Sequence, residues 1–516
     1  MNKNSLIRKI SFGAATGIGF VLIVGLMIGC KSDGVNTNTT ISTGPIFSQV
    51  SAASSGIDFV NEIIESPERS MGNYENFFSG AGVAVGDINN DGLADIFFTS
   101  NDASNRLYLN KGGMQFEDIT AAAGLSSNKW SGGCSMVDVN NDGYLDIYVN
   151  NDGPTNDDEL LSNDLFMNNG NLSFSNKARE LGVADSGRSV QSVFFDADND
   201  GDLDLFVNNY AFINDGEALS DWYDRIETMD PVKSRKMYLR FYKNNGGKFV
   251  DQSKEVGVDR VAFGLGLAAR DFNDDGFLDV YVANDFFLPD YFFINDGKGK
   301  FTEKSKALLG HTAYFAMGMD AADVNNDLLL DMAVVDMSPS DHFRNKLLMA
   351  SMDVKKFQFL KETMDFQDQY MVNAFQMGVG YGGYSEVGNL MGVSQTEWSW
   401  AVLLADFDND GYKDYYVTNG MYRDTKNNDW KMEVVNIRDS LGAAYGLEDY
   451  FKKLIELKPD PVLNYIFKND KGEGFKSANE EWGINTKNFS HGAAYADFDN
   501  DGDLDIVVNL LMDKAE

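Results

Sequence analysis

The chain of 516 residues sets 43 Lys and Arg against 79 Asp and Glu, a formal charge of −36. That excludes a nucleic-acid binder that works by neutralising phosphates, which needs a basic face. Hydrophobic residues at 43% suffice for a large core, while 2 Cys exclude a disulfide-dense scaffold and 3 His argue against a multi-histidine metal site.

Residues 1–29 carry Lys3, Arg8 and Lys9 and no acid, and an apolar run from Phe12 leads to Cys30. A charged start followed by an apolar stretch is a targeting segment rather than part of the fold. Leu26-Met27-Ile28-Gly29-Cys30 resembles a bacterial lipobox, which implies cleavage before Cys30 and its lipidation; an uncleaved membrane anchor is the alternative. Lys31-Ser32-Asp33 is similar to the stretch that follows the lipidated Cys in surface-exported lipoproteins of Bacteroidetes-like bacteria. The expectation is an extracytoplasmic, outer-membrane lipoprotein at the cell surface, touching the membrane through its lipid alone, with residues 30–45 as a flexible tether. Cys134, in an apolar strand pattern, reads as a buried, inert thiol.

From residue 46 onward one motif recurs, Asp-x-Asn/Asp-x-Asp-Gly-x-x-Asp. Its oxygen-bearing positions 1, 3, 5 and 9 are, in order, Asp87, Asn89, Asp91 and Asp95; Asp138, Asn140, Asp142 and Asp146; Asp196, Asp198, Asp200 and Asp204; Asp271, Asn273, Asp275 and Asp279; Asp323, Asn325, Asp327 and Asp331; Asp406, Asp408, Asp410 and Asp414; Asp497, Asp499, Asp501 and Asp505. Four oxygen side chains around a Gly-permitted turn suit a hard cation, and all-oxygen ligation favours calcium over zinc or copper. An EF-hand is excluded, because position 12 is Phe98 or Val rather than Glu and each loop runs into a strand such as Leu145-Asp146-Ile147-Tyr148-Val149. The expectation is up to seven Ca²⁺. Leu328 replaces the Gly in the fifth loop, so the site at Asp323 is expected to be distorted or weakest.

Around each loop the same unit repeats. In the fourth, Phe263–Ala269 reads as strand A, Val280–Ala283 as B, Tyr291–Ile294 as C, and the Asn295–Gly299 hairpin leads to D at Phe301. Four short strands per repeat predict an all-β, seven-bladed β-propeller with the metal loops at the A–B turns. Ile46–Val50 resembles a D strand and is expected to complete the seventh blade, where only Leu510–Glu516 remain for strand C.

The Asp loops with their Asn-x-Gly…Phe hairpins resemble the FG-GAP/VCBS repeat of integrin α-chain heads and bacterial surface proteins, over about residues 46–512. Gly82-Val83-Ala84-Val85-Gly86-Asp87 and Trp398-Ser399-Trp400-Ala401 are most similar to VCBS-repeat lipoproteins of the cartilage acidic protein/UnbV-related group. The resemblance implies propeller and metal; its C-terminal UnbV-type module has no counterpart in these residues.

The insertions 151–163, 210–240, 337–372 and 420–464 all join B to C, so they crown the face opposite the metal loops, and two of them carry helical patterns. Aromatic groups expected on that face are Trp130 and Trp398, eight residues before a loop, Trp400 and His491, six before, and Trp222 and Trp430 in the insertions. These six are the candidate ligand residues for a glycan or a surface protein; the alternative is packing between blades for Trp130, Trp398, Trp400 and His491, and covering the insertions' own small cores for Trp222 and Trp430. No catalytic residue is assigned, since neither a G-x-S-x-G nor an H-E-x-x-H motif occurs. A lyase-like propeller enzyme, and a scaffold of an outer-membrane assembly, remain open.

Overall fold

A computed structural model describes residues 45–516 apart from 214–216, 218 and 349–353. The targeting segment, Cys30 and the tether before Pro45 lie outside the described residues. Among them no helix is long and apolar enough to cross a membrane.

The chain is all-β, with helices confined to the connections. The first sheet is an antiparallel meander of Val83–Gly86, Asp95–Phe98, Arg106–Asn110 and Phe116–Asp118. The second is Trp130–Val137, Asp146–Asp152, Asp164–Asn168 and Phe174–Asn176; the third Ser189–Phe195, Asp204–Asn209, Arg240–Asn244 and Phe249–Asp251. The fourth is Gly264–Arg270, Asp279–Asn284, Tyr291–Asn295 and Phe301–Glu303; the fifth Met319–Ala322, Asp331–Val334, Ala374–Gly378 and Tyr384–Glu386. The sixth, Glu397–Ala405, Asp414–Asn419, Tyr465–Asn469 and Phe475–Ser477, gains Met337–Ser338 along its first strand. A hairpin of Ser490–Ala496 and Asp505–Leu510 follows.

The second strand of each of the six sheets is buried along its whole length, so both of its faces must be apolar. β-Branched and aromatic runs such as Ile147-Tyr148-Val149 meet that demand. Gly stands in or next to several first strands, where adjacent sheets meet closely. A Cβ on Gly318 would lie 2.1 Å from the Trp400 carbonyl oxygen, and one on Gly492 2.7 Å from that of Ala81. Each first strand adjoins that of the next sheet, and Ser490–Ala496 adjoins both Glu397–Ala405 and Val83–Gly86. The arrangement is propeller-like.

Side-chain amides tie neighbouring units together. The fourth residue of a loop donates to the carbonyl six places into the next: Asn90 Nδ2 to Gly143 (2.8 Å), Asn199 to Gly276 (3.1 Å), Asn326 to Gly411 (3.0 Å) and Asn500 back to Gly92 (3.1 Å). Those donors sit at positive φ, near 60°, a conformation Asn tolerates better than most residues.

The seventh unit draws on both parts of the chain. Glu516 and Val508 exchange backbone hydrogen bonds of 2.7 and 3.1 Å, the place that Asp164 takes opposite Val149 and Tyr465 opposite Val417. Ala515 N–H donates to Phe59, and Val60 bridges Lys514. Ile46–Val50 forms no ladder, contrary to the sequence expectation. Phe47 nevertheless sits where a D-strand Phe belongs: its carbonyl lies against Gly483, as that of Phe249 lies against Gly182 and that of Phe116 against Gly56.

One repeat position carries a buried charge. Asn163 accepts from Asn151 N–H (2.8 Å) and donates to the Tyr148 hydroxyl, and Asn464 does the same with Asn419 and Tyr416. In the fourth sheet the residue is Asp290, which accepts from Asn284 N–H (2.8 Å) and from the Tyr281 hydroxyl (2.7 Å). Burial pushes its carboxyl up to about 7. Because the folded value lies above the unfolded one, its contribution is intact below about pH 4 and is lost as pH rises through 7. Asp290→Asn is therefore expected to stabilise the protein by up to about 4 kcal/mol at pH 8 and by little at pH 4. Denaturant unfolding at both pH values checks this; an equal effect at the two would be inconsistent with it.

Candidate metal loops and the insertion-bearing face

Each Asp loop folds on its own N–H groups. The first Asp takes the amides of the fifth and sixth residues: Asp87 from Asp91 (3.1 Å) and Gly92 (2.8 Å), Asp406 from Asp410 (3.0 Å) and Gly411 (2.8 Å). The ninth-position Asp is buried at the start of the second strand in the first six loops. Asp95 bonds to Ile88 N–H at 3.0 Å and reaches across to Asn110 N–H at 2.7 Å; Asp146 and Asp414 repeat this. Burial raises these ninth-position carboxyls, Asp95, Asp146, Asp204 and Asp331 to about 6, Asp279 and Asp414 to about 7. The loop's other Asp charges push Asp95 the same way.

The fifth loop is not distorted. Leu328 adopts φ 71° and donates to Asp323 Oδ2 at 2.8 Å, the bond its Gly counterparts make. The departure is felt as strain of a non-Gly residue at positive φ, with the Leu328 side chain left in solvent.

The donor set fits a calcium ion. Carboxylate oxygens of Asp196, Asp198 and Asp200, of Asp406, Asp408 and Asp414, and of Asp497, Asp499 and Asp505 lie within 4.8 Å of one another. Two ligands on one Ca²⁺ at up to about 2.6 Å stand at most about 5.2 Å apart. The first, third, fifth and ninth side chains of each loop are the ones that would hold the ion.

At the other end of the second strands stand the insertions. They contain the helices Leu219–Thr228, His342–Leu348, Asn428–Leu441 and Leu447–Leu454. The insertion of the fifth sheet locks onto that of the sixth through Arg344, which pairs with Glu397 (2.6 Å), Asp460 (2.7 Å) and Asp424 (3.6 Å).

The aromatic candidates do not form an exposed platform. Trp222 is fully buried, stacked on Phe263 at 5.4 Å with Phe287 edge-on, and its indole N–H bonds to Phe212. Trp430 is buried beneath its helix and donates to Lys453. Trp398 is buried and stacks on Trp400, which is half-buried and donates to the Gly420 carbonyl at 2.6 Å. Trp130 and His491 are buried too. Packing accounts for five of the six, between sheets for Trp130, Trp398 and His491 and within the insertions for Trp222 and Trp430, while Trp400 keeps part of its ring exposed.

Trp130, Trp400 and His491 do converge on a central cavity of about 470 Å³. A segment unremarked in the sequence covers them. Residues 74–80, with the short helix Glu75–Phe78, bury Phe77 and Phe78 against Trp130 and Tyr422. The Tyr74 hydroxyl bonds Asp152, His491 Nε2 meets the Phe78 carbonyl (2.9 Å), and Asn101 holds the Gly80 carbonyl (2.9 Å). Burial lowers the His491 imidazole to about 4, so it is neutral at physiological pH. His311 lies 3.6 Å from Glu386, outside this cavity's lining. Cys134 is a free thiol that burial pushes up to about 12.

Among their charged side chains the insertions also expose apolar ones: Phe212 and Val232, Phe343 and Val354, Met432 and Ile455.

The model of the FG-GAP-like repeat matches residues 79–149 and 271–334, which contain the first, second, fourth and fifth Asp loops. Those two stretches thus carry FG-GAP-like repeats. It is similar to cartilage acidic protein 1 of Xenopus tropicalis, 31% identical over 215 residues, 40% of this chain and 29% of the relative. The Homo sapiens protein of that name is 26% identical over 216 residues, 40% of this chain and 28% of the relative. The matches thus span less than a third of either relative. Among solved structures, one titled for specific recognition of non-reducing terminal N-acetylglucosamine by an Agrocybe aegerita lectin aligns with a TM-score of 0.39 and 14% identity, covering 77% of this chain and 81% of that one.

Proposed function

We propose that this chain is a calcium-stabilised, seven-bladed propeller, held outside the cytoplasm by a lipid on Cys30, whose insertion-bearing face binds a surface protein or a glycan. The observation that carries the reading is segregation: every Asp loop lies at one end of the second strands and every long insertion at the other. The ions brace one face; the other is free to vary. The exposed Phe343, Val354 and Met432 on helical insertions favour a protein ligand, since apolar side chains left in solvent on one face are what an association site buries. A sugar-stacking site built from the six aromatic residues is not supported, because five are buried.

The test replaces Phe343, Val354 and Met432 together by Ser and measures retention of cell-surface extracts, protease-treated or periodate-treated, on the immobilised protein. Retention is expected to fall at least tenfold with the thermal midpoint unchanged, and to be abolished by prior proteolysis of the extract. Unchanged retention by the triple variant would remove the reading.

A further inference from the structure

The residue before the strand-C Asn, or before its counterpart Gly378, points at the Asp loop of its own sheet. It is Leu109, Met167, Ile294 and Met377 in the first, second, fourth and fifth sheets, but Lys243 and Lys468 in the third and sixth. The Lys243 ammonium reaches Asp198 Oδ1 (2.7 Å), Asp200 Oδ2 (2.9 Å) and Asp204 Oδ2 (3.4 Å), the third, fifth and ninth residues of its loop. Lys468 meets Asp408 and, at 3.0 Å, Asp410. Lys243 is only 14% exposed and Asp204 is buried, so the first pair of contacts is not a flexible surface encounter.

Residue choice elsewhere in the loops tracks these lysines. Position 3 is Asn in four of the five loops without one, as Asn89, Asn140, Asn273 and Asn325, and Asp in the two that have one, as Asp198 and Asp408. Four carboxylates and one ammonium leave a net charge of −3, the value that three carboxylates give alone. The seventh loop has Asp499 at position 3 and no such lysine among the described residues.

We infer that Lys243 and Lys468 occupy the cation's seat in the third and sixth loops, so that these two close without metal and calcium enters only by expelling the ammonium. A Ca²⁺ would sit about 2.3–2.6 Å from the oxygens that now surround the Lys243 nitrogen, and two cations cannot share that space. An ammonium brings three donors and one charge, matching three carboxylate contacts at Lys243, but it is covalently attached and independent of ion concentration. The inference rests on the calcium reading for the remaining loops, and its test separates the two.

The experiment uses the full chain and calcium as probe. Bound calcium per chain is counted by equilibrium dialysis for the wild type, Lys243→Met, Lys468→Met and the double variant; Met is what Met167 and Met377 place there. Each replacement is expected to add one ion per chain, and the double variant two. Where the wild type binds calcium, an unchanged count in folded variants overturns the inference. In chelator, where no ion can help, Lys243→Met is expected to unfold below the wild type, and Lys243→Met with Asp198→Asn, which recreates the residues of the second loop, to recover the difference. Equal midpoints for wild type and Lys243→Met in chelator also overturn it. Should no variant bind calcium while the chelator difference persists, the seating of the ammonium stands and the calcium reading of the other loops falls.

Discussion

Chelating calcium is expected to lower the thermal midpoint of the protein by more than about 10 °C, the largest effect of any simple treatment. A site held at a hundredfold excess of free ion over Kd stabilises the folded state by about 2.7 kcal/mol, and the loops without a lysine are several. In a chain of this size each kcal/mol moves the midpoint by roughly 1 °C. The loops keep their outline when the ion leaves, because Asp87 and its counterparts remain bonded to the amides of the fifth and sixth residues. What is lost is compensation of charge. Asp95 and its five buried counterparts at the start of the second strands face the exposed Asp at the fifth position, as Asp95 faces Asp91, and nothing else positive lies in the first, second, fourth or fifth loop. Low ionic strength should therefore deepen the effect, since fewer counter-ions screen the clusters. Calorimetry at millimolar calcium and in chelator, each at low and moderate salt, measures it. A midpoint indifferent to both would mean that the loops are ordinary turns.

Trp222→Ala is expected to cost about 4 kcal/mol, and to act on one insertion rather than on the sheets. Trp222 is wholly buried, and it belongs to the insertion of the third sheet while its ring lies on Phe263 and Phe287 of the fourth unit. Removing it leaves a cavity among those rings and takes one of two donors, the other being Arg225 at 3.1 Å, from the Phe212 carbonyl. Leu219–Thr228 has few other anchors: Ile226 is buried and Arg225 pairs with Glu217 at 2.7 Å. Limited proteolysis should cut within 210–240 long before the Asp loops release calcium. Simultaneous loss of the insertion and of the ions would show that the two faces unfold as one.

Much of this was legible in the sequence because it is written in residues with few structural uses. Asp-x-Asn-x-Asp-Gly marks a turn that nothing else needs, and Asn-Gly hairpins before Phe116, Phe174, Phe249, Phe301 and Phe475 set the strand count of each unit. The ligand face was not legible from its aromatics. Trp at a strand start satisfies two demands alike, filling an inter-sheet gap or offering a ring to solvent, and only burial separates them. Residues 74–80 carry no period at all, and their role follows from what lies beneath them, His491 and Trp130, far along the chain. The lysines were readable in principle: Lys243 and Lys468 precede the same Asn as Leu109 and Met167, a comparison across repeats rather than along the chain.

The seventh unit has a mechanical consequence. Pro45 leads within two residues to Phe47, seated on Gly483, and then to Phe59–Asn61, bonded to the stretch Leu511–Ala515. Tension applied to the chain at Pro45 is thus delivered first to the seam where early and late residues meet. Hydrogen bonds there number few, and a pull on one end strains them one after another, as in peeling, instead of all together, as in shear. Of the other six sheets only the sixth borrows a strand, Met337–Ser338, from an earlier repeat, and all lie behind that seam. Under load the molecule should yield by releasing residues 45–61 as a leash while the rest stays folded, and relock when the load is removed.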